Sequence, residues 1–263
     1  MKDMIYIIRA IFAAFWQHWK NTTANIWSLS FFIASVPQVA IFGWIAIQNP
    51  NPDILGYLIV GAPLMAIWQS VMYGISASLG SEIRNGTIEF TMISRTSMIV
   101  VLFGKSMAMM VFGIPVGIIS VGTILIIARQ IPQIASVPYV IGSVVFIFIG
   151  LAVTGLLLAP IMALSRGRIS GMYTPLIPFI VVFSGFLFPI SSLPQALGII
   201  SRILPSSWAM DSVLQAVKGP ESAWAVVSGW IYCLLVSSVL FLFTFILFKV
   251  VEKRLRITGL IAY

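Results

Sequence analysis

Ser81–Arg95, SEIRNGTIEFTMISR, decides how the rest of the chain is read. It carries Glu82, Arg84, Glu89 and Arg95 in a sequence that is only 8% charged, so it stands out as polar against an apolar background. Uncharged, mostly apolar sequence precedes it from Ile54, and another such run follows from Ser106 to Ala128. An ionised side chain at the bilayer centre costs about 3 kcal/mol or more. The segment is therefore expected to stand clear of the membrane between two spans. Asn85-Gly86-Thr87 reads as a helix break and restart, because Gly and Asn end helices and Thr caps the next one. The restarted helix puts Ile88 and Met92 four residues apart on one face, with Glu89 in the first turn, where the helix dipole favours negative charge. Two readings follow: a solvated connecting loop, or a short amphipathic helix gripped by a partner outside the bilayer.

The composition supports the membrane reading. Of 263 residues 60% are hydrophobic, and the mean hydropathy of +1.06 is that of a polytopic membrane protein. Cys233 is the single cysteine, which excludes a disulfide framework and a cysteine-based metal site. The net charge of +8 does not point to nucleic acid, because the basic residues are not gathered on a soluble domain. Met1-Lys2-Asp3 leads into a helix interrupted by Arg9, without the pattern of a cleavable signal peptide.

The expected fold is all-α, a single membrane domain over residues 1–263 with six transmembrane helices. Lys2, Arg9 and Lys20 share one line of a helical wheel, opposite Met4, Ile8, Ile11 and Phe15. Residues 1–21 thus read as an interfacial helix, with Trp16 and Trp19 at headgroup level and no role for His18. A span needs about 20 apolar residues. The spans are expected at Ile26–Ile47, kinked at Pro37, then Ile54–Gly80, Ser97–Ala128, Val137–Leu164, Gly171–Phe188 and Ala223–Val250. Six spans put both termini on one side. With them fall 12 of the 15 Lys and Arg residues, leaving Arg129, Arg202 and Lys218 opposite. Positive residues collect in the cytoplasm, so the termini and the segment 81–95 are assigned there.

A second unusual stretch spans 189–219. Ser192-Leu193-Pro194-Gln195 has capping-box spacing with Pro in the first turn. The helix it opens must stop near Pro205. At 1.5 Å per residue it reaches about half the hydrocarbon core. Ser206 or Ser207 is expected to cap a second short helix, Trp208–Lys218, stopped by Gly219-Pro220. Two short apolar helices read as a re-entrant or interfacial hairpin on the outer side, backbone that is tolerated where protein buries it or it lines a cavity.

Together these stretches resemble the ABC-2 type permease family, the membrane subunits of bacterial ABC exporters. Glu82-x-x-x-Gly86-Thr87-Ile88-Glu89 is similar to the family's cytoplasmic coupling region between spans two and three, and Gly104-Lys105 fits the start of span three. Gly185-Phe186-Leu187-Phe188-Pro189-Ile190-Ser191-Ser192-Leu193-Pro194, with Leu204-Pro205 and Asp211, resembles the family's outer segment after span five. Ser94-Arg95 departs from the family's usual Ser-Pro. The resemblance implies a bacterial inner-membrane protein working as a pair of permeases, with a second copy or a close paralogue. It also implies two copies of a separate ATPase subunit that holds MgATP, and outward transport. Taken with the residue reading above, it points to ATPase coupling by Glu82, Arg84, Asn85, Gly86, Thr87, Ile88, Glu89 and Met92. It assigns the outer hairpin to Pro189, Ser192, Pro194, Gln195, Pro205 and Asp211.

No catalytic chemistry is expected in the chain itself. Gly104-Lys105-Ser106 mimics the end of a phosphate-binding loop, but the Gly required five residues before Gly104 is Ile99. No His, Cys, Asp and Glu spacing suits a metal, and no carboxylate pair or Ser/His constellation falls at membrane depth. The expected span cores hold no ionisable residue of the kind that ion-coupled carriers use. Energy for uphill transport must then arrive from outside the chain, and the 81–95 segment is the natural place. Trp44, Trp68 and Tyr73 are candidates for the substrate pathway, or simply for packing. The apolar spans favour a lipophilic small molecule or drug as cargo over a lipid-linked glycan. The alternatives from other classes are an intramembrane enzyme and a non-transporting scaffold or immunity protein.

Overall fold

The computed structural model describes residues 2–24, 29–48, 52–84, 97–129, 134–164, 173–219 and 222–258. Helices account for most of them, and there is no strand among the described residues. The order is α1 (Lys2–Ala24), α2 (Leu29–Gln48), α3 (Pro52–Arg84), α4 (Met98–Ala128) and α5 (Val137–Leu164). Then come α6 (Tyr173–Phe183), a 3-10 turn (Ile190–Ser192), α7 (Gln195–Ser201), α8 (Pro205–Lys218) and α9 (Ala223–Thr258). Among the described residues, four helices are long and apolar enough to cross a membrane: Ile54–Met72 of α3, Met98–Ala128, Val137–Leu158 of α5, and Ala223–Val250 of α9.

One packing centre is α4, which contacts α1, α2, α3 and α5. Helices in lipid gain little from hydrophobic burial against each other, so close backbone approach through small residues matters. Gly113 and Gly117 supply it. A Cβ on Gly113 would stand 2.9 Å from Ile67 Cα, and one on Gly117 would stand 3.0 Å from Pro63 Cβ. The spacing Gly113-x-x-x-Gly117, weak evidence in the sequence alone, thus seats α4 on α3. The other packing centre joins α5, α8 and α9. Trp230 of α9 donates its indole N–H to Ser143 Oγ of α5 at 2.8 Å and stacks on Phe146 at 5.1 Å.

The N-terminal helix runs three residues beyond its expected end. One flank of it packs on α4: Ala14 is buried, Trp19 lies edge-on to Phe112 at 6.4 Å, and a Cβ on Gly104 would meet the Ile11 carbonyl. Trp19 thus packs against the core through this contact. Lys105, next to Gly104, is buried. The other flank of α1 leaves Ile8, Phe12 and Trp16 exposed. His18 lies beside the same contact. Burial, assisted by the Lys105 charge, lowers its pKa from 6.5 to about 4, so the imidazole is neutral at physiological pH.

Candidate functional site

The residues after α6 form a clasped helical pair fixed to α3, α5 and α9. The helix of the fifth expected span stops at Phe183 rather than Phe188. Gly185 turns there with φ +79, a left-handed conformation that glycine adopts without steric cost. The turn is pinned to α3 at two points one helical turn apart. The buried Tyr57 hydroxyl donates to the Gly185 carbonyl and also to that of Phe188 at 3.4 Å. Gly61 leaves room for the Phe186 carbonyl oxygen, which any Cβ there would overlap. The Phe186 side chain is fully buried.

Pro189 precedes the 3-10 turn, and Ser192 closes it by donating its backbone N–H to the Pro189 carbonyl at 3.0 Å. The first short helix therefore starts later than its capping-box spacing suggests. Pro194 stands at its N-cap with no side-chain cap, and Gln195 is its first residue. Ser192 is absorbed by the turn, so its hydroxyl does not open the helix. The second short helix starts earlier than expected, at Pro205 rather than Trp208. Proline suits the first helical position because its missing N–H would be unpaired there anyway. The two serines are used elsewhere: Ser206 Oγ donates to Ser184 Oγ at 3.0 Å, and Ser207 Oγ donates to the Leu204 carbonyl at 2.8 Å.

The two helices differ in environment. Around α7 the apolar side chains face outward, Ile199 at 71% and Ile203 at 58% exposure. One face of α8 is sealed between α5 and α9 through Ala209, Met210, Val213 and Ala216, all fully buried. Gly229 of α9 permits the approach, since a Cβ there would stand 2.7 Å from the Trp208 carbonyl and overlap Ser212 Oγ. Ser212 Oγ donates to the Val226 carbonyl at 2.8 Å. At the other end, the backbone N–H groups of Ala135 and Ser136 donate to Val217 and Ala216 carbonyls at 3.2 and 3.1 Å. Gly219 ends the helix as expected.

Arg202 ties the two helices together. Its guanidinium meets the Asp211 carboxylate at 2.5 Å and lies 4.2 Å from the centre of the Trp208 ring. Its carbonyl accepts the Trp208 indole N–H at 3.0 Å. Trp208 in turn packs on Tyr232 of α9, with ring centres 4.6 Å apart. Burial raises the Asp211 pKa, while the charge and hydrogen bond of Arg202 pull it back down. The sequence marks Asp211 as part of the outer hairpin but gives Arg202, Trp208, Tyr57 and Gly61 no role in it. Arg202 lies nine residues from Asp211, and Tyr57 lies on a different helix from Gly185, so no local pattern joins them.

Of the remaining sequence-derived residues, Trp44 lies on α2 and Trp68 on α3. Trp68 is fully buried in α3, with no hydrogen-bond partner for its indole nitrogen among the described residues. Trp44 is 60% exposed on α2. Tyr73, Glu82 and Arg84 lie on α3, the last two in its final turn. Asn85, Gly86, Thr87, Ile88, Glu89 and Met92 lie outside the described residues.

A search of curated proteins returns no match. The family model described as ABC-2 family transporter protein matches residues 10–246, from within α1 to within α9, and so covers both packing centres and the clasp. With that match over nearly all of a chain built from membrane-crossing helices, the protein belongs to the ABC-2 transporter family, the membrane subunits of ABC transporters.

Proposed function

We propose that the protein is the permease of an ATP-driven exporter that moves a lipophilic small molecule out of the cytoplasm or the inner leaflet. The family match over residues 10–246 is the observation that carries the reading. The topology proposed with it has six spans, with α2 and α6 as the first and fifth. Both termini and the 81–95 segment are cytoplasmic, α1 lies at the inner surface of the bacterial inner membrane, and α7–α8 close the outer end. The exposed apolar flank of α1 and the short length of α7 and α8 support this arrangement. Two permeases and two ATPase subunits make the working assembly, and MgATP binds only in the latter. The segment Glu82–Met92 docks on the ATPase. The apolar character of the described spans favours a lipophile over a lipid-linked glycan, for which polar contacts along the route would be needed.

The test is co-expression with a candidate ABC ATPase subunit, followed by inverted vesicles given a lipophilic fluorescent dye from outside. ATP-dependent dye uptake that requires both subunits is the expected result. Uptake independent of the ATPase, or assembly with no ATPase, refutes the reading.

A further inference from the structure

A cavity of about 550 Å³ opens sideways between α3, α4 and α5. Pro63 and Ile67 line it from α3, Phe148 from α5, and Ile114, Gly117, Ile118, Val121, Gly122 and Leu125 from α4. Every one of these side chains is apolar. The volume is that of a ligand pocket, which ordinarily carries a few polar groups to orient its occupant; here there are none. The occupant must therefore be an unfunctionalised hydrocarbon over the whole length inside. Ile118, on its rim, is 67% exposed, so the opening faces what surrounds the helix bundle of this chain.

Length and charge identify the hydrocarbon. Along α4 the lining runs from Ile114 to Leu125, about 16 Å at the helical rise. One leaflet of the hydrocarbon core is about 15 Å deep. Four residues past Leu125, where a span that ends at Ala128 leaves the core, stands Arg129. It is the exposed C-cap of α4, turned into the left-handed region at φ 51, with its N–H bonded to the Leu125 carbonyl at 3.0 Å. A cation at that level complements an anionic headgroup whose chain descends beside α4. We propose that the cavity holds one acyl chain of an anionic phospholipid, with the phosphate at Arg129. The site needs only the membrane location of the chain and stands apart from the direction and cargo of transport.

Gly122 makes the site testable, because a Cβ there meets nothing within 4 Å. Gly122→Phe and Gly122→Leu should therefore fill the cavity without disturbing the helices, which an unchanged melting temperature verifies. The probe is phosphatidylglycerol carrying a photoreactive diazirine in one acyl chain, in bilayers containing the full chain, with labelled peptides mapped by mass spectrometry. Labelling of 114–125 should exceed that of the exposed α9 face around Leu242 and Ile246. Both filling variants should reduce it severalfold and leave α9 labelling as it was. Arg129→Gln should lower labelling of 114–125 by the anionic probe about fivefold, with little change for a phosphatidylcholine probe. Labelling of α4 that equals that of α9, or that ignores Gly122→Phe and Gly122→Leu, overturns the acyl-chain site. Equal labelling by both probes, unaffected by Arg129→Gln, overturns the headgroup assignment.

Discussion

Arg202 and Asp211 meet at 2.5 Å across the corner between α7 and α8, and the same guanidinium covers the face of Trp208 at 4.2 Å. Both charges are about one-third exposed, so the ion pair alone contributes little. The corner is held because pair, ring and backbone bond converge on one residue. Arg202→Met should lower stability by about 1–2 kcal/mol. It should also raise the Asp211 pKa further, since both contributions of Arg202 act to lower it. A double-mutant cycle with Asp211→Asn, read by thermal unfolding in detergent, should show coupling. Strictly additive losses would mean that the two residues act independently.

His18 makes the seat of α1 sensitive to acid. Its folded pKa of about 4 lies below the unfolded value of 6.5, so the folded state favours the neutral ring. The contribution is complete above about pH 6.5 and is lost as pH falls through the interval from 6.5 to 4. Protection factors for amide exchange in α1, corrected for the intrinsic rate at each pH, should fall across that interval with a dependence of about one proton. His18→Gln should flatten the response. An unchanged profile in His18→Gln would assign the acid sensitivity to another group.

Two glycines on neighbouring packing centres should respond in opposite directions. Gly229→Ala forces a Cβ against the Trp208 carbonyl, which is backbone and cannot swing aside. It should cost about 1–3 kcal/mol by pushing α8 from α9. Gly122→Ala enters open space, and alanine is the better helix former, so stability should hold or rise by up to about 1 kcal/mol. Melting temperatures of the two variants in one detergent decide the matter, and equal shifts would contradict the packing described.

The sequence made some of this architecture plain and concealed the rest for physical reasons. The long helices are legible because an apolar run of about 20 residues has few other stable forms in a membrane. The stop at Arg129 is legible because a charge ends the apolar run, and the stop at Gly219 because glycine closes helices. The starts of α7 and α8 are not legible, because serines beside a helix end have several acceptors within reach. Ser206 and Ser207 bond to Ser184 and Leu204, and Pro205 begins α8 without them. Contacts between distant residues left no periodic trace. The seat of α1 on Gly104 and the pinning of Gly185 by Tyr57 join residues about 90 or more positions apart.

The proposed topology is checked by accessibility. Twelve of the 15 Lys and Arg residues fall on the side assigned to the cytoplasm. Single cysteines at Asn51 and Gly219, in a Cys233→Ser background, should react with an impermeant maleimide in intact cells. A cysteine at Gly167 should react only after permeabilisation. Labelling at Gly167 from outside would overturn the six-span arrangement.

Coupling to the ATPase is expected to rest on the segment that follows α3. Glu82 and Arg84 close α3, and Ile88 and Met92 are four residues apart beyond it, the spacing of one helical face. Buried apolar anchors carry most of the affinity of an interface, whereas charges at its rim tune orientation and rate. Ile88→Asp with Met92→Asp should therefore detach the ATPase, because it would bury two unpaired charges. Glu89→Lys should leave assembly largely intact and weaken the stimulation of hydrolysis by substrate. Neither change falls in a proposed span, so membrane insertion should stay near normal, and insertion is the control that separates lost docking from lost folding. Co-purification of the ATPase and substrate-stimulated hydrolysis in vesicles are the two readouts. If the double variant still binds the ATPase and transports normally, the segment is a solvated loop and the ATPase must dock elsewhere.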